Sequence, residues 1–276
     1  MENPIVAIVM ITYGHEKYIE EAINGVLMQE CRFPIELIIS NDCSPDNTNN
    51  IINNIIKNHP KSDIIRYINH EKNIGMMPNF ISALRNVNSK YVAICEGDDY
   101  WIDRFKLQKQ VDFMEKNLDF SMCFHSVQIT MAHKNDYYIY ETPSSDVLFL
   151  KDIIKNHYIP TCSLLFRNNN FCQRLPLWLS KSISGDIPVE IILASQGKTK
   201  YLSEKMACYR RNEGGITQSP LQLSKMRMGY IYMYSRLAQE IVFPYNLHLY
   251  YIVFRLRLGY LKIWYKKIRS FLIKNV

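Results

Sequence analysis

Three carboxylates, Glu96, Asp98 and Asp99, crowd together immediately after the apolar run Tyr91-Val92-Ala93-Ile94-Cys95. Carboxylates this close raise one another's pKa unless a cation or a hydrogen-bond donor compensates them. Mg²⁺ or Mn²⁺ suits the task, because hard divalent cations take one or two carboxylates together with substrate phosphates. The apolar run reads as a strand, and open α/β sheets bind ligands at the carboxyl ends of their strands. A solvated acidic turn has the same composition, so the cluster alone does not decide between the two.

Two other strand ends carry matching groups. Ile5 to Ile11 is followed by Thr12-Tyr13-Gly14-His15, and Leu37-Ile38-Ile39 by Ser40-Asn41-Asp42-Cys43-Ser44-Pro45-Asp46. Thr12 and Tyr13 supply a hydroxyl and a ring for a nucleobase. Asp42 can accept the imide N–H of uracil or thymine, and Asp46 suits the cap of the next helix. In a parallel sheet all three ends face one edge, in the order base, ribose, metal-diphosphate. Downstream, Asp186 opens a helix in Ser184-Gly185-Asp186-Ile187-Pro188-Val189-Glu190. A helix N-terminus favours an ionised carboxylate, which could take a proton from an attacking hydroxyl; a plain cap is the other reading. Arg210 and Arg211 lie in a polar stretch that could fold over a diphosphate. Neither Gly-x-Gly-x-x-Gly nor a P-loop occurs, which argues against NAD and a Walker-type phosphate grip.

The elements that must position these residues alternate. After the first strand, Ile19, Ala22, Ile23, Val26 and Leu27 mark a helical face. Ile51, Ile52, Ile55 and Ile56 mark a second, and Phe80, Ala83, Leu84 and Val87 a third. Ile64 to Ile68 supplies a further strand. This βαβαβαβ order predicts an α/β fold with a mostly parallel, doubly wound sheet. Beyond it, Lys106 to Lys116 and Val189 to Ser195 read as helices. Met122 to Ile129, Thr161 to Phe166, Tyr201-Leu202 and Met206 to Tyr209 read as strands, and Met131 to Val147 as a variable loop.

The chain has 276 residues and a formal charge of +7. All of that charge belongs to the tail: beyond Glu240 there is no acidic residue, whereas Arg255, Arg257, Lys262, Lys266, Lys267, Arg269 and Lys274 follow it. A body with no basic excess argues against nucleic acid as a partner. We therefore expect a domain over 1–240, with a nucleotide-binding half at about 1–103 and an acceptor half at about 104–240. The remainder, 241–276, reads as a basic, aromatic helical tail suited to an anionic membrane surface. The odd count of seven Cys, without CxxC spacing, points to a reducing compartment. Met1-Glu2-Asn3-Pro4 has no basic leader region, and no apolar window is long enough to span a bilayer. The expected location is cytoplasmic, peripheral on the inner face of the cell membrane.

Taken together, these pieces resemble the family 2 glycosyltransferases of the GT-A fold, over roughly residues 3–220. The resemblance rests on Ile8 to Ile19, Asn41 to Thr48, Asn73-Ile74-Gly75, Tyr91 to Trp101, Gly185-Asp186 and Tyr209-Arg210. It implies a GT-A, Rossmann-like sheet flanked by helices, and inverting transfer of a sugar from a nucleotide-diphosphate donor, a UDP-sugar foremost. Thr12, Tyr13, Asp42 and Asp98 would bind the nucleotide. Asp98 and Asp99 would hold Mg²⁺ or Mn²⁺, and Asp186 would be the general base. Trp101, His125 and Thr161 are acceptor-side candidates; Arg210 and Arg211 are diphosphate candidates. The acceptor would be a glycan or a lipid-linked oligosaccharide in bacterial surface-polysaccharide assembly, the sugar a hexose or N-acetylhexosamine. Three positions depart from the family pattern: Gly14 replaces a frequent Asn, Glu96 an Asp, and Asn212 a His. The alternative that Glu96 and Asn212 leave open is a degenerate scaffold that binds a nucleotide sugar without turning it over.

Overall fold

The first apolar run forms strand β1, Val6–Thr12, and its alternate residues enter two different cores. Val6, Ile8 and Met10 face one side, and Ala7 and Val9 face the other. A strand buried on both faces reads as a continuous apolar run because neither face meets water. The structure is a computed structural model that describes residues 3–131, 134–139, 142–156, 158–211 and 222–274. Helix α1 (Ile19–Leu27), β2 (Ile35–Asn41), α2 (Thr48–Asn58), β3 (Ile65–Asn69), α3 (Met76–Arg85) and β4 (Tyr91–Ile94) follow β1 in the expected alternation.

The second half adds β5 (Tyr100–Trp101), α4 (Lys106–Lys116), β6 (Phe120–Met131), β7 (Lys134–Ile139), β8 (Val147–Leu148), α5 (Leu150–Lys155), β9 (Leu165–Arg167), α6 (Asp186–Ala194), β10 (Lys198–Arg211), α7 (Gln222–Glu240) and α8 (Tyr245–Lys274). One 10-stranded sheet runs β3-β2-β1-β4-β9-β6-β10-β5, with β7 on β6 and β8 on β10. Strands β1 to β4, β6 and β10 run the same way; β5, β7, β8 and β9 run against them. The sheet is thus mixed but mostly parallel, with β9 joining the two halves edge to edge. One core lies under α1, α2 and α4. The other lies under α3, α5, α6, α7 and α8.

Several elements differ from the expected ones. Thr161 to Phe166 is not one strand: Thr161–Ser163 forms a 3-10 turn, closed by Ser163 donating its N–H and its hydroxyl to the Pro160 carbonyl, and only then does β9 begin. The two short strands near 201 and 206 are one long β10. Its register shifts between Leu202 and Ala207, where the exposed Ser203, Glu204 and Lys205 interrupt the apolar pattern. The expected loop from Met131 to Val147 contains β7, which pairs back on β6, and the start of β8. Residues 132–133 and 140–141 of that stretch lie outside the described residues.

Candidate active site

Three strand ends are stitched together at one edge of the sheet. Asp42 N–H donates to the Thr12 carbonyl (3.0 Å), and Gly97 N–H donates to the Ile11 carbonyl (3.0 Å). Asp99 N–H closes a turn on the Glu96 carbonyl (3.1 Å). Residue 97 must be small: a Cβ there would stand 2.9 Å from Thr12 Oγ1 and 2.9 Å from His15 Nδ1. Both of those atoms are buried and have no hydrogen-bond partner. Buried polar atoms left without a partner call for an explanation, and a bound ion or water is one that would satisfy them. Tyr13, 48% exposed, stands at the rim.

The loop after β1 is fastened to the loop after β2. Gly14 N–H donates to Ser44 Oγ (3.0 Å), His15 N–H to Thr48 Oγ1 (2.9 Å) and Glu16 N–H to Asp46 Oδ2 (3.0 Å). Gly14 has φ +71°, a left-handed conformation that glycine adopts without strain. Asp46 also accepts from Thr48 N–H and Thr48 Oγ1, at the start of α2. Asp42 is engaged differently from the expected base contact. Its Oδ1 accepts Ile74 N–H (2.7 Å) and its Oδ2 accepts Gly75 N–H (3.0 Å), so it shapes the loop that leads into α3. At 2% exposure it offers little surface of its own.

The acidic loop is overcharged. Asp99 is 1% exposed; its Oδ1 accepts Arg210 N–H (2.8 Å), and its Oδ2 is buried without a partner. Burial, then the neighbouring Asp98, pushes the Asp99 carboxyl well above the usual carboxylate range. Glu96 is raised in the same way by burial, Asp98, Asp99 and Asp186. The Asp186 charge, at the start of α6, is therefore felt at Glu96, although 87 positions separate Asp186 from Asp99 in sequence. Ser184 Oγ donates to Asp186 Oδ1. Gly185 lets the helix start close to α3: a Cβ there would lie 2.8 Å from the Phe80 ring. On α7, Tyr230 and Tyr234 stack 6.3 Å apart, and both are touched by the Asp186 charge. Glu190, one helical turn after Asp186, is 2% exposed and raised by burial and by Asp186.

An orphaned carboxylate oxygen among like charges is the donor set a divalent cation would relieve, with Asp98 and Asp99 the residues to hold it. Among the described residues no group of three His, Cys, Asp or Glu side chains is arranged as a ready-made metal site. The fit is thus to a cation that takes its remaining ligands from phosphate and water. Asn212 lies outside the described residues.

The weaker candidates separate sharply. Arg210 is not free to grip a diphosphate. Its guanidinium sits 4.2 Å from the Tyr100 ring centroid and 5.1 Å from that of Tyr18, pairs with Glu21 and donates to the Asp98 carbonyl (2.8 Å). It clamps the acidic loop from β10. Arg211 is exposed at the end of that strand. Trp101 is 1% exposed; its indole N–H donates to the Cys162 carbonyl (2.8 Å) and Lys106 Nζ lies 3.9 Å from its ring centroid. His125 is fully buried, with Nδ1 bonded to the Ser126 carbonyl (2.8 Å), and burial holds its imidazole neutral. Neither Trp101 nor His125 presents a surface to an acceptor. Thr161 is half-buried in its 3-10 turn. His15 follows the Thr12-Tyr13-Gly14 strand end. In the structure its imidazole is beside Gly97, held below its usual pKa by burial against the pull of Asp98 and Asp46.

Residues 7–170 match the family described as Glycosyl transferase family 2. An uncharacterized protein of Mycobacterium tuberculosis is 33% identical over 223 residues, 77% of this chain and 60% of that protein. The chain therefore spans about 60% of the length of its mycobacterial relatives. TuaG of Bacillus subtilis, by name a teichuronic acid biosynthesis glycosyltransferase, is 28% identical over 226 residues, 81% of this chain and 85% of TuaG. Among solved structures, S. aureus TarS in complex with UDP-GlcNAc aligns with a TM-score of 0.62 at 17% identity, over 85% of this chain and 66% of that one. The mannosyltransferase PcManGT from Pyrobaculum calidifontis, in complex with GDP-Man and Mn²⁺, aligns at 0.55 and 15% identity, over 94% and 72%. These two likenesses are likenesses of fold.

Proposed function

The chain belongs to glycosyl transferase family 2, and from that premise we propose that it is an inverting glycosyltransferase. Its donor is a nucleotide-diphosphate sugar, UDP-linked, carrying a hexosyl or N-acetylhexosaminyl group. Its acceptor is a hydroxyl of a glycan or lipid-linked oligosaccharide in bacterial surface-polysaccharide assembly. TuaG's name and the UDP-GlcNAc complex of TarS support this direction. The observation that carries it is the shared field of Glu96, Asp98, Asp99 and Asp186 at the edge where Thr12 and His15 leave polar atoms unsatisfied. The same reading places the protein on the inner face of the cell membrane.

In this mechanism Thr12 and Tyr13 receive the nucleoside, and Asp42 keeps the loop at Ile74 and Gly75 in shape beside it. Asp98 and Asp99 would hold Mg²⁺ or Mn²⁺. Such an ion supplies charge stabilisation to a departing diphosphate. Arg210 fixes the acidic loop through its backbone N–H and its guanidinium, so the carboxylates keep their aim without meeting the substrate's phosphates through a flexible side chain. Asp186 takes the proton from the attacking hydroxyl, on the sugar face opposite the leaving group, and Ser184 orients the carboxylate. General-base catalysis contributes about 10²–10⁴-fold. An Asp186→Asn variant should therefore keep its affinity for UDP-sugar and lose at least about 100-fold in transfer. Near-normal transfer would remove Asp186 from the role of base.

The scaffold alternative draws on Glu96 and Asn212, which depart from the family pattern, and on the lack of a ready-made three-ligand metal site among the described residues. Free UDP released from UDP-sugar only when an acceptor extract is added excludes it.

A further inference from the structure

Over its described side chains, residues 245–259, helix α8 has one face packed on the fold and one face exposed. Leu249 is fully buried and Val253 is 5% exposed, and both belong to the core under α5 and α7. On the opposite side Leu247, Tyr250, Tyr251, Phe254 and Leu258 are 56%, 45%, 54%, 57% and 41% exposed. At the helical repeat of 3.6 residues these five fall within an arc of about 100°. The exposed Arg255 and Arg257 border that arc, one on each side. The same three-and-four spacing runs on in the sequence through Leu261, Tyr265, Ile268 and Leu272. In the turn before the helix, Val242 and Phe243 are 71% and 74% exposed.

Next to this face lies a basic hollow. Two adjoining depressions between α5 and α8 are lined by Lys151, Lys155, Arg227, His248 and Arg255. Asp152 is the one carboxylate in their lining, and its Oδ2 is engaged by Phe149 N–H (3.0 Å) at the start of α5. Arg227 Nη1 is buried with no hydrogen-bond partner.

An apolar arc bordered by cations, beside a cationic hollow, is the pattern of a helix lying in a headgroup layer. We propose that this face of α8 binds an anionic bilayer, with the aromatic and aliphatic side chains at the acyl boundary and the hollow against lipid phosphates. A second copy of the chain is a poorer occupant. No acidic residue follows Glu240, so two tails brought face to face would set like charges together. No helix of the described residues is long and apolar enough to cross a membrane, which leaves the in-plane arrangement. The inference stands on the tail alone and not on the sugar-transfer reading.

The test is flotation of the full chain with vesicles of phosphatidylcholine, and of phosphatidylcholine with about 30% phosphatidylglycerol. Binding should be at least about tenfold tighter to the anionic vesicles and should weaken as salt approaches about 0.5 M. The combined Leu247→Ser, Phe254→Ser and Leu258→Ser variant should lose at least about tenfold in affinity with an unchanged Tm. Arg255→Glu with Arg257→Glu should do the same, and guards against an unfolded serine variant. Equal binding to both vesicle types, no binding to either, or serine and glutamate variants that bind like the parent would overturn the proposal. So would a solution dimer that the serine variant dissociates while the parent ignores vesicles, because that result assigns the face to a second copy.

Discussion

Lys106 shows how far a single residue can depart from its usual setting here. It is fully buried, donates to Gln110 Oε1 (2.7 Å) and lies over the Trp101 ring; burial lowers its pKa from 10.5 to about 8. Below about pH 8 the ammonium is charged in the folded and unfolded chain alike, and the full cost of burying it is present. Between about 8 and 10.5 the unfolded chain binds more protons than the folded one, so this group's contribution to stability rises with pH. A Lys106→Met variant should gain on the parent at pH 7, and the difference should shrink by about 3 kcal/mol as pH climbs through that window. Urea denaturation of both proteins across pH reads the difference directly, and a difference flat with pH would contradict the assignment. Residues at strand ends were legible in the sequence because an apolar run ends visibly and parallel order sends its ends to one edge. The Arg210 clamp was not, since its bond to Asp99 joins residues 111 positions apart. Nor was the burial of Trp101, because an aromatic after an acidic turn looks the same in sequence whether it points outward or inward.

At the scale of elements, the site depends on how closely α1 approaches β5. A Cβ at Gly25 would stand 2.8 Å from the Trp101 backbone nitrogen, so the helix and the strand after the acidic loop meet backbone to side. Helix α1 also supplies Glu21 to the Arg210 clamp. Gly25→Ala must push the two elements apart, at a cost of about 1–3 kcal/mol. It should lower both the urea midpoint and the affinity for UDP, whereas an alanine that leaves both unchanged would mean the contact is not limiting. The βαβ half was readable because central parallel strands are unbroken apolar runs and their helices repeat every three or four residues. The second half was harder for a physical reason. Bulges in β10 break its periodicity, and the Thr161–Ser163 turn carries its hydrogen bonds within itself where a strand pattern would place them between strands.

Across the whole molecule, the two halves share one sheet and both cores. Strand β9 pairs with β4 of the first half and β6 of the second, so neither half can close its sheet alone. We therefore expect 1–240 to unfold in a single transition, with Trp fluorescence and far-UV circular dichroism coincident in urea; two separated transitions would mean the halves are independent domains. Helix α8 packs on α5 and α7, and α7 carries the tyrosines that feel the Asp186 charge, so a tail resting on a bilayer would hold the Asp186 side of the site toward that surface. All of this turns on whether the acidic loop receives a metal-bound nucleotide. Calorimetric titration of the full chain with UDP, in Mn²⁺ and in EDTA, for the parent and for Asp99→Asn, asks that question most directly. The account predicts tight binding for the parent in Mn²⁺ alone, with most of it lost in EDTA and in the variant. UDP binding that ignores both the metal and Asp99, or no UDP binding at all, would contradict it.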